Sequence, residues 1–250
     1  MAIELDTIYN EDCLVGMQKI PDHSIDAIIC DLPYGTTSCA WDSVIPFPLL
    51  WEQYKRIAKQ DAPIVLFGSE PFSTMLRISN FDCWKYDWIW DKVSKQGFLN
   101  AKRRPLKQHE IISVFSFGKC IYNPQMVERG KPRNKDSYNK RKGDGDGVYG
   151  KFENIKSTNN IYYPSTILTF SNAVHKGSHP TQKPVELIRY LLRTYTNEGD
   201  VVLDNCIGSG TTAIACIKEK RHFIGFELNE EYFNTAQHRI NNERQQQTIF

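Results

Sequence analysis

The stretch "VVLDNCIGSGTTAIACIKEKRHFIGFELN", residues 201–229, constrains this chain more than any other. It reads as a buried strand ending in Asp204, a glycine turn, a helix opening near Thr211 and a second strand ending at Glu227. A strand, a crossover helix and a parallel strand form the unit of an α/β sheet with helices on both faces. Only 23 residues follow Glu227, room for one helix and a tail. A doubly wound sheet needs more strands than that, so the earlier part of the chain must supply them. Short apolar runs at Ala27–Cys30, Ile64–Phe67, Trp88–Trp90 and Ile111–Phe117 read as those strands, beside Val201–Asp204 and Phe223–Glu227. Helical spacing recurs in Leu14, Met17 and Ile20, in Leu50, Tyr54 and Ile57, over Leu187–Leu192, and in Tyr232, Phe233, Ala236 and Ile240. The expected fold is an α/β, doubly wound, Rossmann-like sheet with its motif order circularly permuted, the glycine turn coming last.

Gly208-x-Gly210-x-x-Ala213 fits the nucleotide fingerprint, and the acid Glu227, 23 positions after Asp204, stands where a ribose-binding carboxylate belongs. Glycines let a ligand approach the backbone, and the new helix offers free N–H groups. A carboxylate at the mouth of the turn, Asp204, would repel a pyrophosphate but suits an ammonium group. S-adenosylmethionine carries that ammonium, a ribose and no phosphate, so the turn points to it rather than to a dinucleotide.

The second informative stretch is "IDAIICDLPYGTTSCAWD", residues 25–42, in which a buried-looking strand runs into Asp31-Leu32-Pro33-Tyr34. An acid and an aromatic ring at a strand tip make a pocket wall, and alone they equally make a tight turn with a surface tyrosine. Charge is uneven. Residues 101–142 hold twelve bases and three acids, a net +9, in a chain whose total is +2, which leaves −7 elsewhere. A basic block on an acidic body suits a polyanion partner, and a solvated loop is the plainer alternative. From about 119 to 165 the apolar pattern dissolves into Gly, Asn, Lys and Asp with scattered tyrosines, which reads as an insertion carried by the sheet. "GDGDG" at 143–147 is a turn, because Val148 and Tyr149 stand where a calcium loop needs a ligand and a glycine. The seven cysteines are odd in number and lack a C-x-x-C pair, so they read as reduced packing residues; no histidine spacing proposes a metal. The N-terminus does not read as a signal peptide, and no apolar run approaches the ~20 residues that span a bilayer.

Asp31-Leu32-Pro33-Tyr34, then a basic variable region, "HPTQKP" at 179–184 and a D-x-x-x-G-x-G turn together resemble the β-class amino-methyltransferases that modify DNA. The resemblance covers nearly the whole chain except the insertion. It implies three segments: 1–118, the catalytic half; 119–174, a target-recognition insertion; and 175–250, the cofactor-binding half. Two departures stand out. Leu32 replaces the first proline of the usual D-P-P-Y, and Cys206 stands where a phenylalanine is usual in the cofactor turn.

By that resemblance Asp31 accepts one proton of a target amine and the Leu32 carbonyl accepts the other, returning the nitrogen lone pair for attack. Pro33 holds Leu32 extended, and Tyr34 stacks on the base. Asp12 and Cys13, Lys183, Asp204, Cys206, Gly208, Gly210, Thr211, Glu227 and Leu228 are expected around S-adenosylmethionine, with Asp12 on its adenine, Glu227 on its ribose, and Lys183 and Thr211 at its methionine end. Asp12 taken alone is equally a helix N-cap, and Lys183 an ordinary surface lysine. Lys102, Arg103, Arg104, Arg129, Lys131, Arg133, Lys140 and Arg141 are expected on DNA, while Trp41 and Asp42 suit either a lid or packing. His109 and Glu110 are expected to be structural. The implied reaction is methyl transfer to adenine N6 of a flipped-out base in double-stranded DNA. The same chemistry admits cytosine N4, RNA adenine or a protein amide, and a catalytically dead relative would bind DNA without turnover. The resemblance further admits a homodimer and a cognate restriction endonuclease as partners and implies the cytoplasm of a bacterial or phage-infected cell, with no membrane.

Overall fold

The structure is a computed structural model that describes residues 3–35, 43–134, 158–171 and 182–248. Two compact units emerge, Met1–Asn123 with Thr166–Phe250, and Pro124–Ser165.

The larger unit contains β1 (Thr7–Tyr9), α1 (Cys13–Met17), β2 (Ala27–Cys30), α2 (Phe47–Ile57), β3 (Ile64–Gly68), α3 (Phe72–Ser79), β4 (Trp84–Gln96) and β5 (Lys107–Phe115). The smaller unit is a hairpin of β6 (Val127–Asn134) and β7 (Thr158–Tyr162). The chain then returns to the larger unit with β8 (Ile167–Thr169), α4 (Val185–Tyr195), β9 (Val201–Asp204), α5 (Thr211–Lys218), β10 (His222–Phe226) and α6 (Glu230–Thr248). Its eight strands form one sheet in the order β1-β10-β9-β2-β3-β5-β4-β8. The first five are parallel; β5 runs against both β3 and β4, and β8 lies parallel to β4.

The central parallel strands are apolar throughout because both faces are covered. Strand alternation sorts them. Ala27, Ile29, Val65, Phe67 and Val202 face a layer with Leu187, Leu191, Leu192 and Ala213 from α4 and α5. Ile28, Cys30, Ile64, Leu66 and Leu203 face Met17, Leu50, Tyr54 and Ile57 from α1 and α2. Strands β9 and β2 are neighbours, yet β9 leads through α5 to β10 on one side while β2 leads through α2 to β3 on the other. Their C-terminal ends flank the crevice where the strand order reverses, the position at which open α/β sheets bind ligands.

Several expectations are corrected in detail. Asp12, a few residues past the end of β1 at Tyr9, caps α1 and accepts from the N–H groups of Leu14 (2.8 Å) and Val15 (3.2 Å). Helix α1 stops at Met17, leaving Ile20 buried beyond it. Strand β4 runs over 13 residues, far past Trp88–Trp90, because its outer part pairs with β5 in a ribbon rather than being packed on both faces. Helix α3 carries no clean stripe, since Phe72 and Leu76 are buried while Met75 and Ile78 are exposed. The insertion expected over 119–174 gives up its ends: β8 belongs to the main sheet, and the separate unit is Pro124–Ser165. Within 1–118, β1 pairs with β10 of the C-terminal segment.

Candidate active site

A cavity of about 490 Å³ opens at the crevice, the size typical of a cofactor or small-ligand site. Asp12, Cys13, Asp31, Leu32, Pro33, Tyr34, Lys183, Asp204, Cys206, Gly208, Thr211, Glu227 and Leu228 all line it. The two motifs thus meet, although 173 positions separate Asp31 from Asp204 in sequence, because β2 and β9 are hydrogen-bonded neighbours, Asp204 ends β9 and Asp31 directly follows β2.

On the β9 side, carboxylates are held by backbone amides. Asp204 accepts from Cys206 N–H at 3.1 Å; burial pushes its carboxyl up to about 6, against hydrogen bonds from Thr212 and Cys206. Glu227 accepts from Gly208 N–H (2.9 Å) and Asn229 N–H (2.8 Å), and burial raises its pKa as well. Gly208 sits at φ +53°, and a Cβ there would meet open space, so the turn leaves room against the cavity. Gly210 differs. At φ +82°, an added Cβ would lie 3.1 Å from Ala236 Cβ, and Gly210 does not line the cavity. Its role is to let α6 close on the start of α5. Cys206 packs with thiols rather than an aromatic ring, since Asn205 Nδ2 reaches both Cys13 Sγ (3.7 Å) and Cys206 Sγ (3.5 Å). Asn205 in turn accepts from the buried Tyr54 hydroxyl at 2.6 Å, which ties α2 to the cofactor turn.

On the β2 side, carboxylates are held by side chains, some of them far away in sequence. Tyr34 Oη donates to Asp31 Oδ1 at 2.5 Å, and the Tyr34 ring packs 5.0 Å from Phe72. Lys183 Nζ donates to Asp31 Oδ2 and lies 3.4 Å from Glu110 Oε2, while Lys92 Nζ donates to Glu110 Oε1. Asp31, Lys183, Glu110 and Lys92 therefore form an alternating chain of charge. The side chains of Lys183, Glu110 and Lys92 are 10%, 11% and 8% exposed. Burial alone would lower the Lys183 pKa, but the Asp31 and Glu110 carboxylates outweigh it and hold it up. Burial would raise Glu110, and the two ammonium groups hold it below the usual carboxylate range. Lys183 also stands 5.2 Å over the Phe67 ring and 5.9 Å from that of Trp90.

Glu110, expected to be structural, instead lines the cavity. The signal was its place at the start of a strand. Because β5 runs against β3, its beginning lies at the edge where β3 ends, with Gly68 opposite Ile111. Nothing local announces that reversal. Lys183, expected at the methionine end, lines the cavity and donates to Asp31. Of the residues expected on DNA, Lys102, Arg103 and Arg104 are exposed in the β4–β5 turn, and Arg129, Lys131 and Arg133 lie on β6. Lys140, Arg141, Trp41, Asp42 and the 143–147 glycine run lie outside the described residues.

The donor set fits S-adenosylmethionine. Six carboxylates line the cavity, Glu11, Asp12, Asp31, Glu110, Asp204 and Glu227, against two lysines already paired with acids. That excess suits a ligand with ammonium and sulfonium charges and opposes a diphosphate. Thr211 Oγ1, at the first residue of α5, is buried without a hydrogen-bond partner and so is left for a ligand atom.

Comparison with known proteins agrees. The DNA methylase family of N6/N4 type matches residues 25–238. The type II methyltransferase M1.MboII of Moraxella bovis is 28% identical, over 96% of this chain and 98% of the relative. The crystal structure of the M1.HpyAVI complex with S-adenosylmethionine superposes with a TM-score of 0.62 at 24% identity, covering 93% of this chain and 98% of that one. PvuII DNA methyltransferase, specific for cytosine N4, gives 0.65 at 17% identity, with 94% and 86% covered. The chain belongs to the N6/N4 DNA methylase family, and is an S-adenosylmethionine-dependent DNA methyltransferase.

Proposed function

We propose that this enzyme methylates the N6 amine of an adenine turned out of double-stranded DNA. The observation that carries the reading is a single one: the Asp31 carboxylate, an acid rather than an amide or hydroxyl, ends β2 inside the cavity that Asp204 and Glu227 also line. When bound, S-adenosylmethionine supplies an electrophilic methyl group on its sulfonium.

The chain's own residues do the rest. An exocyclic amine is a poor nucleophile because its lone pair is delocalised into the ring. Asp31 and the Leu32 carbonyl accept its two N–H bonds and favour a pyramidal nitrogen. A main-chain carbonyl does not require the proline ring usual at that position, and Pro33 still biases Leu32 to extended geometry. Tyr34 and Lys183 fix the Asp31 carboxylate from two sides, which holds its remaining lone pairs in one orientation. Asp31 would accept the amine proton that methyl transfer releases. Asp204 suits the methionine ammonium, Glu227 the ribose hydroxyls, Asp12 the cofactor adenine, and Thr211 the methionine end. Tyr34 offers its ring to the base, whose departure from the duplex costs a few kcal/mol, with stacking returning ~1–3 kcal/mol.

A second reading is specific: cytosine N4, because the cytosine-specific PvuII enzyme shares the fold. The two are separated by product analysis. Duplex DNA incubated with labelled S-adenosylmethionine should yield N6-methyladenine; N4-methylcytosine as the product would overturn the adenine assignment. With Asp31→Ala, transfer should vanish while calorimetry still detects cofactor binding. Turnover at the wild-type rate in that variant would remove the mechanism.

A further inference from the structure

The β4–β5 ribbon does more than wall the cavity. Trp90, Lys92 and Gln96 of β4 line it, and the ribbon then continues past the edge where β3 stops. Ile89 pairs with Ile111 level with that edge, and beyond it a bulge in β4 sets Gln96 opposite Lys107, four β5 residues further on, an overhang of roughly 13 Å at the strand rise of about 3.3 Å per residue. Gly97 follows at φ +88° and turns the chain into two successive tight turns. In these, Asn100 N–H donates to Gly97 O (2.9 Å), Ala101 to Phe98 (3.1 Å) and Arg103 to Asn100 (2.8 Å). The tip is a small self-bonded knob.

That knob presents Phe98 and Leu99 to solvent, 68% and 102% exposed. Among the described residues, these two adjacent large apolar side chains at the end of a ribbon stay mostly uncovered. Their surroundings say what covers them. From Lys92 to His109 the sequence holds six lysines and arginines and no acid. Lys95, Lys102, Arg103 and Arg104 are all exposed around the apolar pair. An apolar wedge ringed by cations matches a duplex, whose phosphates attract the ring and whose base steps admit the wedge.

We propose that Phe98 and Leu99 form a wedge that enters double-stranded DNA at the target base and fills the space it vacates. The placement gives the reason: Gln96 lines the cavity that receives the base, and the wedge begins two residues later. A base drawn into the cavity leaves an unstacked gap beside it, and an apolar side chain in that gap keeps it from returning. Lys102, Arg103 and Arg104 then grip flanking phosphates. This inference rests on the reading that the target base leaves the duplex.

The test uses the full chain and a duplex containing its methylation site, mapped by sequencing DNA from cells that express it. Rates are measured for the wild type, Phe98→Ala, Leu99→Ala and the double variant. A second duplex places a mismatched base opposite the target, so that extrusion is already easy. On the paired duplex the double variant should lose about fivefold or more in single-turnover rate, the stacking worth of a base. It should also lose the fluorescence rise of 2-aminopurine placed at the target. On the mismatched duplex it should regain the wild-type rate. Unaltered rates on the paired duplex, an equal loss on both duplexes, or a dimer that dissociates in the double variant would each overturn the wedge, the last assigning the pair to a second copy of this chain. An inactive wild type would overturn the proposed function as well; an active wild type with unaffected variants overturns the wedge alone.

Discussion

The two sides of the cavity hold their carboxylates differently. At the glycine turn, Asp204 and Glu227 are held by backbone amides within a few residues or one strand away, and among the described residues no lysine pairs with either. At the tip of β2, Asp31 and Glu110 are held by Lys183 and Lys92, from segments up to 152 positions distant. The first arrangement leaves negative charge for a cationic ligand to neutralise. The second is already neutral, so it fixes orientation and contributes little net field. Removing a member should therefore cost binding on one side and both fold and chemistry on the other.

The sharpest break falls at Asp31. Replacement by Ala should lower the methylation rate by about 10³-fold, within the range for a positioned acid–base group, with cofactor affinity retained in the same preparation.

Next is Lys183→Met, which leaves Glu110 with Lys92 alone and Asp31 with Tyr34 alone. Removing one member of a buried ion pair costs roughly 3–5 kcal/mol, to be read as a fall in denaturant midpoint. Adding Glu110→Gln should recover part of it; a double variant that loses the full sum of the two single changes would show that the network is not coupled.

On the other side, pH discriminates. An Asp204 carboxyl raised to about 6 favours the protonated folded state. Its contribution to the stability of the ligand-free chain is a cost above pH 6, relieved as pH falls toward the unfolded carboxylate value near 4. Affinity for S-adenosylmethionine should move oppositely, weakening as pH falls through about 6, because a protonated Asp204 no longer attracts the ammonium. Calorimetric titrations between pH 5 and pH 8, as set by that value, check this, and a flat affinity profile counts against Asp204 as the ammonium partner.

The smallest effect is expected at Gly210→Ala. A left-handed alanine costs roughly 1–2 kcal/mol, and Ala236 must also give way. Thermal unfolding should report that loss with cofactor affinity little changed, since the glycine serves helix packing.

How much was legible follows the same division. The turn at 204–210, the strand ends at Asp31 and Glu227, and the permuted order could be read because each is a local pattern with a period or a spacing. What escaped reading depended on a neighbour in space. Glu110 read as structural because strand direction is not written in a strand of nine residues such as Lys107–Phe115. That Lys183 pairs with Asp31 could not be read because the two lie on opposite halves of the chain. That Gly210 meets Ala236 could not be read because α6 approaches it only in the fold.

By itself the sequence determined the strands β2, β3, β5, β9 and β10 and part of β4, the acids at three of their tips, and that the βαβ unit near the C-terminus must complete a sheet begun near the N-terminus. These follow from side-chain periodicity and turn chemistry, which act over a few residues. Only the tertiary structure decided that β2 pairs with β9, that β5 runs backward, and that Asp31, Lys183, Glu110 and Lys92 meet as one neutral chain. Buried charges find partners by proximity in a low-dielectric interior, and that proximity is set by sheet order rather than by separation along the chain.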